Sequence, residues 1–176
     1  MTPNAPRPLI LTLTLEPALA DPLNELRKEH FPPERNVLDA HVTLFHALPG
    51  EHGDAVRRDL EVRCEATPAF EVRVPRLRRW GKGVFAELVS PALLSFRGDL
   101  AARWGDLLTP QDRRPFRPHV TIQNKVSEGV AQALFEALEP TWRPLIGGAT
   151  GAALWHYAGG PWEGAASFRF SDVVPD

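Results

Sequence analysis

Apolar positions along the chain follow two periods in turn. Leu9 to Leu15 (Leu-Ile-Leu-Thr-Leu-Thr-Leu) opens as an apolar run and ends in alternation, which reads as a strand. Glu16-Pro17-Ala18-Leu19 breaks it. Asp21-Pro22 reads as an N-cap with proline at the first helical position; Leu23, Leu26 and His30 follow at helical spacing as far as Pro32-Pro33. A second strand carries His41-Val42-Thr43-Leu44 and closes at Pro49-Gly50. A helix over about 54–66 places Val56, Leu60 and Cys64 on its inner face. Phe70 to Trp80 and Val84 to Val89 read as paired strands around Gly81-Lys82-Gly83.

From there the order recurs. Ser90-Pro91-Ala92-Leu93 echoes Glu16-Pro17-Ala18-Leu19, and a helix follows with Leu93, Arg97, Leu100, Trp104 and Leu107/Leu108 at three-to-four spacing. A basic, proline-bearing loop from Pro110 to Pro118 leads into His119-Val120-Thr121-Ile122. Ser127 caps a helix bearing Val130, Leu134 and Leu138, and two closing strands lie near 152–157 and 166–170. The expectation is one domain over residues 1–176: a disordered lead over 1–8, then two repeats, approximately 9–80 and 84–172. One repeat excludes a solenoid. Two lobes about a pseudo-twofold axis would bring their equivalent strands together.

Those strands carry the candidate chemistry. Side chains alternate across a strand, so His41 and Thr43 share one face, as do His119 and Thr121, while the aliphatic residues face inward. Phe45 and Gln123, two beyond each threonine, fall on the same face, and His46 falls on the opposite one. Two imidazoles can take a proton from one oxygen while giving one to another, and a hydroxyl beside each can donate to a phosphate oxygen. That set suits in-line displacement at phosphorus without a metal, and best fits a 2′,3′-cyclic phosphate on an RNA end or nucleotide.

Composition narrows the partners. With 176 residues and a net charge of −2, the chain is no general polyanion binder. Its basic residues are grouped, however: Arg73, Arg76, Arg78, Arg79 and Lys82 in one stretch, Arg113, Arg114, Arg117 and Lys125 in another. Arg76 and Arg78 share a strand face with Trp80, a surface suited to a nucleic-acid backbone and base. Arg117 and Lys125 flank the second motif as phosphate contacts. A lone Cys64 permits no internal disulfide and argues against a thiolate zinc site; His41, His46 and His52 do not converge as ligands. No cofactor or metal is expected. No apolar run approaches the roughly 18 residues of a membrane span, and the first residues lack the core of a signal peptide. The expectation is a cytoplasmic monomer without an obligate protein partner.

The paired His-Val-Thr-Leu and His-Val-Thr-Ile resemble the two His-x-Thr/Ser-aliphatic signatures of the 2H phosphoesterase superfamily. The branch indicated is the 2′-5′ RNA ligase-like one, that of the RNA 2′,3′-cyclic phosphodiesterases. The resemblance runs through His41–Gly50 and Arg117–Ile122 and covers nearly the whole chain in order and spacing. It implies an α+β fold of two pseudo-twofold-related lobes, antiparallel sheet lining a central groove and helices on the outer faces. It also implies His41, Thr43, His119 and Thr121 as the catalytic set. Where that branch often carries an arginine after its second motif, this chain has Gln123-Asn124-Lys125, with Lys125 able to supply a point charge. Hydrolysis of cyclic phosphates, 2′-5′ ligation or cleavage of 2′-5′ linkages, a non-catalytic RNA-end or nucleotide-binding module, and a metallohydrolase remain open at this point.

Overall fold

A computed structural model describes residues 6–172. The chain is α+β. Seven strands, β1 (Leu9–Leu15), β2 (Val42–Leu48), β3 (Phe70–Trp80), β4 (Gly83–Val89), β5 (His119–Gln123), β6 (Leu145–His156) and β7 (Glu163–Arg169), pair antiparallel throughout. Four helices, α1 (Pro17–His30), α2 (Gly53–Glu65), α3 (Pro91–Arg103) and α4 (Glu128–Leu138), lie between them. The strands form one sheet in the order β2-β1-β6-β3-β4-β5, with β7 also on β6. Exchanging β1 with β4, β2 with β5 and β3 with β6 reverses that order and leaves it the same. The pseudo-twofold therefore passes between β3 and β6, and the two histidine strands stand at opposite ends of one continuous sheet. The sheet curls until those ends, β2 and β5, come into contact.

Strand β6 is the spine. Ala149 is its switch point, paired to Leu15 of β1 on one edge and to Phe70 of β3 on the other. It begins at Leu145, earlier than the expected 152, and carries Gly147 and Gly148 within it. The reason is close packing: a Cβ on Gly147 would stand 2.7 Å from the Leu19 side chain, and one on Gly148 2.6 Å from the Glu16 carboxylate. Glu16, not Asp21, is the N-cap of α1, with Pro17 at the first helical position. Gly148 N–H donates to Glu16 Oε2 at 2.8 Å, and Glu16 N–H donates to the Gly148 carbonyl at 2.8 Å. Pro22 thus lies inside the helix and removes one of its hydrogen bonds. The full burial of Leu19 and Leu23 offsets that loss.

Part of the expected disordered lead, residues 1–5, lies outside the described residues. The rest is ordered: Tyr157 N–H donates to the Pro8 carbonyl, and Arg7 Nη1 stands 2.5 Å from Glu163 Oε2. Cys64 is part of the apolar core, and burial pushes its thiol up to about 12.

Two buried arginines join the halves. Arg27, one turn beyond Leu23 on the apolar stripe of α1, donates through Nε to the Leu38 carbonyl and Asn36 Oδ1 in its own half. Its Nη1 crosses to the Thr121 carbonyl of β5 at 3.0 Å. Arg97 of α3 does the reverse, donating through Nη2 to the Asp112 carbonyl in its own half and through Nε to the Leu44 carbonyl of β2. Each guanidinium lies over a phenylalanine, Phe31 at 4.1 Å and Phe45 at 4.3 Å. Replacing Arg97 by Met strands two buried carbonyls and leaves the Asp112 charge less compensated. Urea unfolding is expected to show a loss of about 3 kcal/mol. Arg73→Ala, which removes an exposed pair with Glu71, is expected to cost under about 0.5 kcal/mol.

Candidate active site

His41 stands immediately before β2 and His119 opens β5. Each imidazole makes the same bond: His41 Nδ1–H donates to the Asp39 carbonyl and His119 Nδ1–H to the Arg117 carbonyl, both at 2.7 Å. A carbonyl only accepts, so Nδ1 carries the proton in both rings and Nε2 is the nitrogen left for chemistry. Each ring also lies against an indole. His41 is 4.7 Å from Trp162, and His119 meets Trp80 edge-on at 5.5 Å and Phe85 at 5.3 Å.

Burial lowers the pKa of both histidines below the ordinary imidazole value. The bonds to the peptide carbonyls oppose this. For His41, the nearby charges of Arg27, His119 and His46 add to the lowering, and for His119 that of His46 does. His41 thus senses the charge of His119 across the sheet ends.

Thr43 and Thr121 are half-buried beside them, on strands that run in register with Thr12 and Phe85 respectively. Beyond each threonine the strand bulges. On β2 the partners step from Thr12↔Thr43 to Leu11↔Phe45, so one extra residue, Leu44, is accommodated. On β5 they step from Phe85↔Thr121 to Val84↔Gln123, with Ile122 the extra residue. A bulge resets the alternation of faces. Phe45 and Gln123 therefore do not share the motif face, contrary to the sequence reading. Phe45 is fully buried against Trp104, and Gln123 is 6% exposed, with no hydrogen-bond partner for Oε1 among the described residues.

The same bulge returns His46 to the exposed side of β2, the side of His41 and Thr43. Strict alternation had placed it opposite. His46 Nδ1–H donates to Asp112 Oδ1 at 2.9 Å. The Asp112 carboxylate is buried, which alone would raise its pKa, but the His46 ring and the His46 and Ala47 peptide N–H groups hold it below the usual carboxylate range.

Of two cavities near the motifs, His41 lines one, while His119, Thr43 and Thr121 line neither. One, of about 630 Å³, includes His41, Trp155, Trp162, Lys28 and Asn36 in its wall. Trp155 is fixed there by its Nε1–H donating to Thr12 Oγ1 at 2.9 Å. The other, of about 540 Å³, is bordered by Trp80, Arg78, Phe116 and Arg117. Arg78 and Arg76 both reach Glu87 at 3.2 Å, so their charges are partly offset, and Arg76 does not line this cavity. Lys125 is exposed in a left-handed turn (φ 61°) after β5 and lines neither cavity. Among the described residues, no group of three or more His, Cys, Asp or Glu side chains is arranged to hold a metal ion. Among the described residues, no helix is long and apolar enough to cross a membrane.

The family model of the 2′-5′ RNA ligase superfamily matches residues 15–161. Among solved structures, TT0787 of Thermus thermophilus superimposes with a TM-score of 0.66 at 19% identity, covering 93% of this chain and 97% of that one. A crystal structure of a phosphoesterase gives 0.66 at 21%, covering 94% and 99%. E. coli LigT complexed with 3′-AMP gives 0.65 at 22%, covering 94% and 98%. At these identities the likeness establishes the shared fold. A search of curated proteins finds no match.

The lowered imidazoles can be tested directly. Both His41 and His119 are expected to titrate below the ordinary value of about 6.5 in NMR pH titrations. Trp162→Ala, by letting water reach His41, is expected to move its midpoint upward.

Proposed function

Because the chain belongs to the 2′-5′ RNA ligase superfamily, we propose that it is a metal-independent phosphodiesterase that opens 2′,3′-cyclic phosphates at RNA ends or on nucleotides. His41 and His119 are the acid/base pair, and Thr43 and Thr121 hold the non-bridging oxygens. The observation that carries this reading is the matched pair of Nδ1–carbonyl bonds, which leave Nε2 free on both rings. One neutral Nε2 takes a proton from water as its oxygen bonds to phosphorus. The other imidazole, protonated, gives its proton to the ribose oxygen as that P–O bond breaks. The product is a phosphomonoester, and the two rings have exchanged protonation states. The tryptophan-lined cavity beside His41 suits a nucleoside, with indole available to a base. With a 5′-hydroxyl in place of water, the same transfers would join two ends. The reading takes RNA ends or nucleotides as partners of a cytoplasmic monomer.

The productive state has one imidazole charged and one neutral. Both pKa values are lowered by burial, so this state is most populated on the acid side of 6.5. A bell-shaped kcat/KM profile with its maximum below about pH 6.5 is expected. A bound phosphate anion favours the imidazolium, so the kcat profile should lie at higher pH than that of kcat/KM.

The function itself is tested with nucleoside 2′,3′-cyclic phosphates, with and without EDTA. Turnover indifferent to EDTA, with kcat about 10²- to 10⁴-fold lower in His41→Ala and in His119→Ala, supports the assignment. Undiminished turnover in either variant overturns it. Product analysis in the presence of a 5′-hydroxyl oligonucleotide separates hydrolysis from joining.

A further inference from the structure

The acid/base scheme uses two imidazoles, yet His46 presents a third on the same side of β2. The register with β1 puts it about two strand steps past Thr43, roughly 7 Å along the strand. Its ring is held rather than loose. The Asp112 carboxylate, 1% exposed, takes the Nδ1–H and also the peptide N–H groups of His46 and Ala47. Asp112 is itself fixed by Arg97 Nη2 on its carbonyl at 2.6 Å. With Nδ1 committed and 44% of the side chain exposed, His46 offers Nε2 outward.

The segment that carries Asp112 is rich in positive charge, although Arg113 Nη2 also donates to the Gly105 carbonyl. Asp112 is the sole acidic residue of the segment from Thr109 to Pro118, and it is buried, whereas Arg113, Arg114 and Arg117 of that segment are exposed. The chain as a whole is slightly acidic, so this positive character is local. The segment leads directly into His119, and the charge of His46 is felt by both His119 and His41.

We infer that His46, with the arginines of this segment, forms a subsite for the phosphodiester next to the reacting phosphate, so that the preferred substrate is the end of an RNA strand rather than a free nucleotide. The inference rests on the reading of His41 and His119 as the reacting pair.

The test compares a nucleoside 2′,3′-cyclic phosphate with a dinucleotide ending in the same group. The dinucleotide is made with either a phosphodiester or an uncharged methylphosphonate link. Wild-type protein is expected to favour the charged dinucleotide by about tenfold in kcat/KM, mainly through KM, and to lose that preference with the methylphosphonate. In His46→Ala the ratio should fall to near one and the methylphosphonate penalty should vanish. The surface double variant Arg113→Glu/Arg114→Glu should reduce the ratio in the same direction.

Equal use of mononucleotide and dinucleotide by the wild type overturns the subsite, as does an undiminished methylphosphonate penalty in His46→Ala. Absence of turnover on every cyclic phosphate would instead count against the proposed reaction. In that case tryptophan-fluorescence binding of a dinucleotide 3′-phosphate, charged or methylphosphonate-linked, to wild type and His46→Ala still decides the subsite. Binding that ignores the link charge in the wild type overturns it.

Discussion

The site depends on two guanidiniums buried between the halves of the chain. A curled sheet does not by itself fix the distance between its first and last strands, because twist and bend are soft. Arg27 and Arg97 fix it by each bonding its own half and the opposite motif strand. The carbonyls they bond across the cleft, Thr121 and Leu44, lie at the two bulges, where the extra residue disrupts the regular ladder. The irregularity that re-aims the side chains is thus also the point of attachment. Burial opposes the charge on both arginines, yet guanidinium stays protonated throughout the physiological range. The ties therefore do not switch with pH.

The histidines are built on the contrary principle. Each has its orientation set by a peptide carbonyl two residues earlier, which fixes the tautomer without supplying a full negative charge. Neighbouring indoles and phenylalanine pack against the half-buried rings and limit their hydration. A ring so placed is a neutral imidazole with a defined lone pair, and an incoming anion provides the charge that makes protonation favourable. His46 has a carboxylate in that place, so one sheet face carries imidazoles in two different electrostatic settings.

Much of this was legible in the sequence. The two His-Val-Thr motifs read as strands, the order of helices and strands was recoverable from periodicity, and the family resemblance predicted the α+β fold that the structure and the family match bear out. What failed was side-chain direction beyond each threonine. A bulge is a property of a strand and its neighbour together, and no one-strand pattern announces it. Hence Phe45 and Gln123 read as cleft residues and His46 as turned away. The early start of β6, across Gly147 and Gly148, was likewise missed, because the close approach of Glu16 and Leu19 is a tertiary fact. The arginine ties did leave a signal. Arg97 falls on the helical stripe of Leu93 and Leu100, and Arg27 one turn past Leu23. A charge inside an apolar stripe indicates a buried partner.

The pseudo-twofold is broken where β7 joins the sheet. Along the second half of β6, strand β7 fills the edge opposite β1. The matching stretch of β3, from Arg76 to Trp80, pairs with β4 on one edge and with no other strand on its second edge among the described residues. An open edge invites another chain to add itself, the first step toward sheet-mediated aggregation. Pro75 marks where β3 parts from β6, and Arg76, Arg78 and Arg79 crowd the exposed stretch with positive charge. Like-charge repulsion between such arginines opposes pairing of two copies along this border, least where Glu87 offsets Arg76 and Arg78.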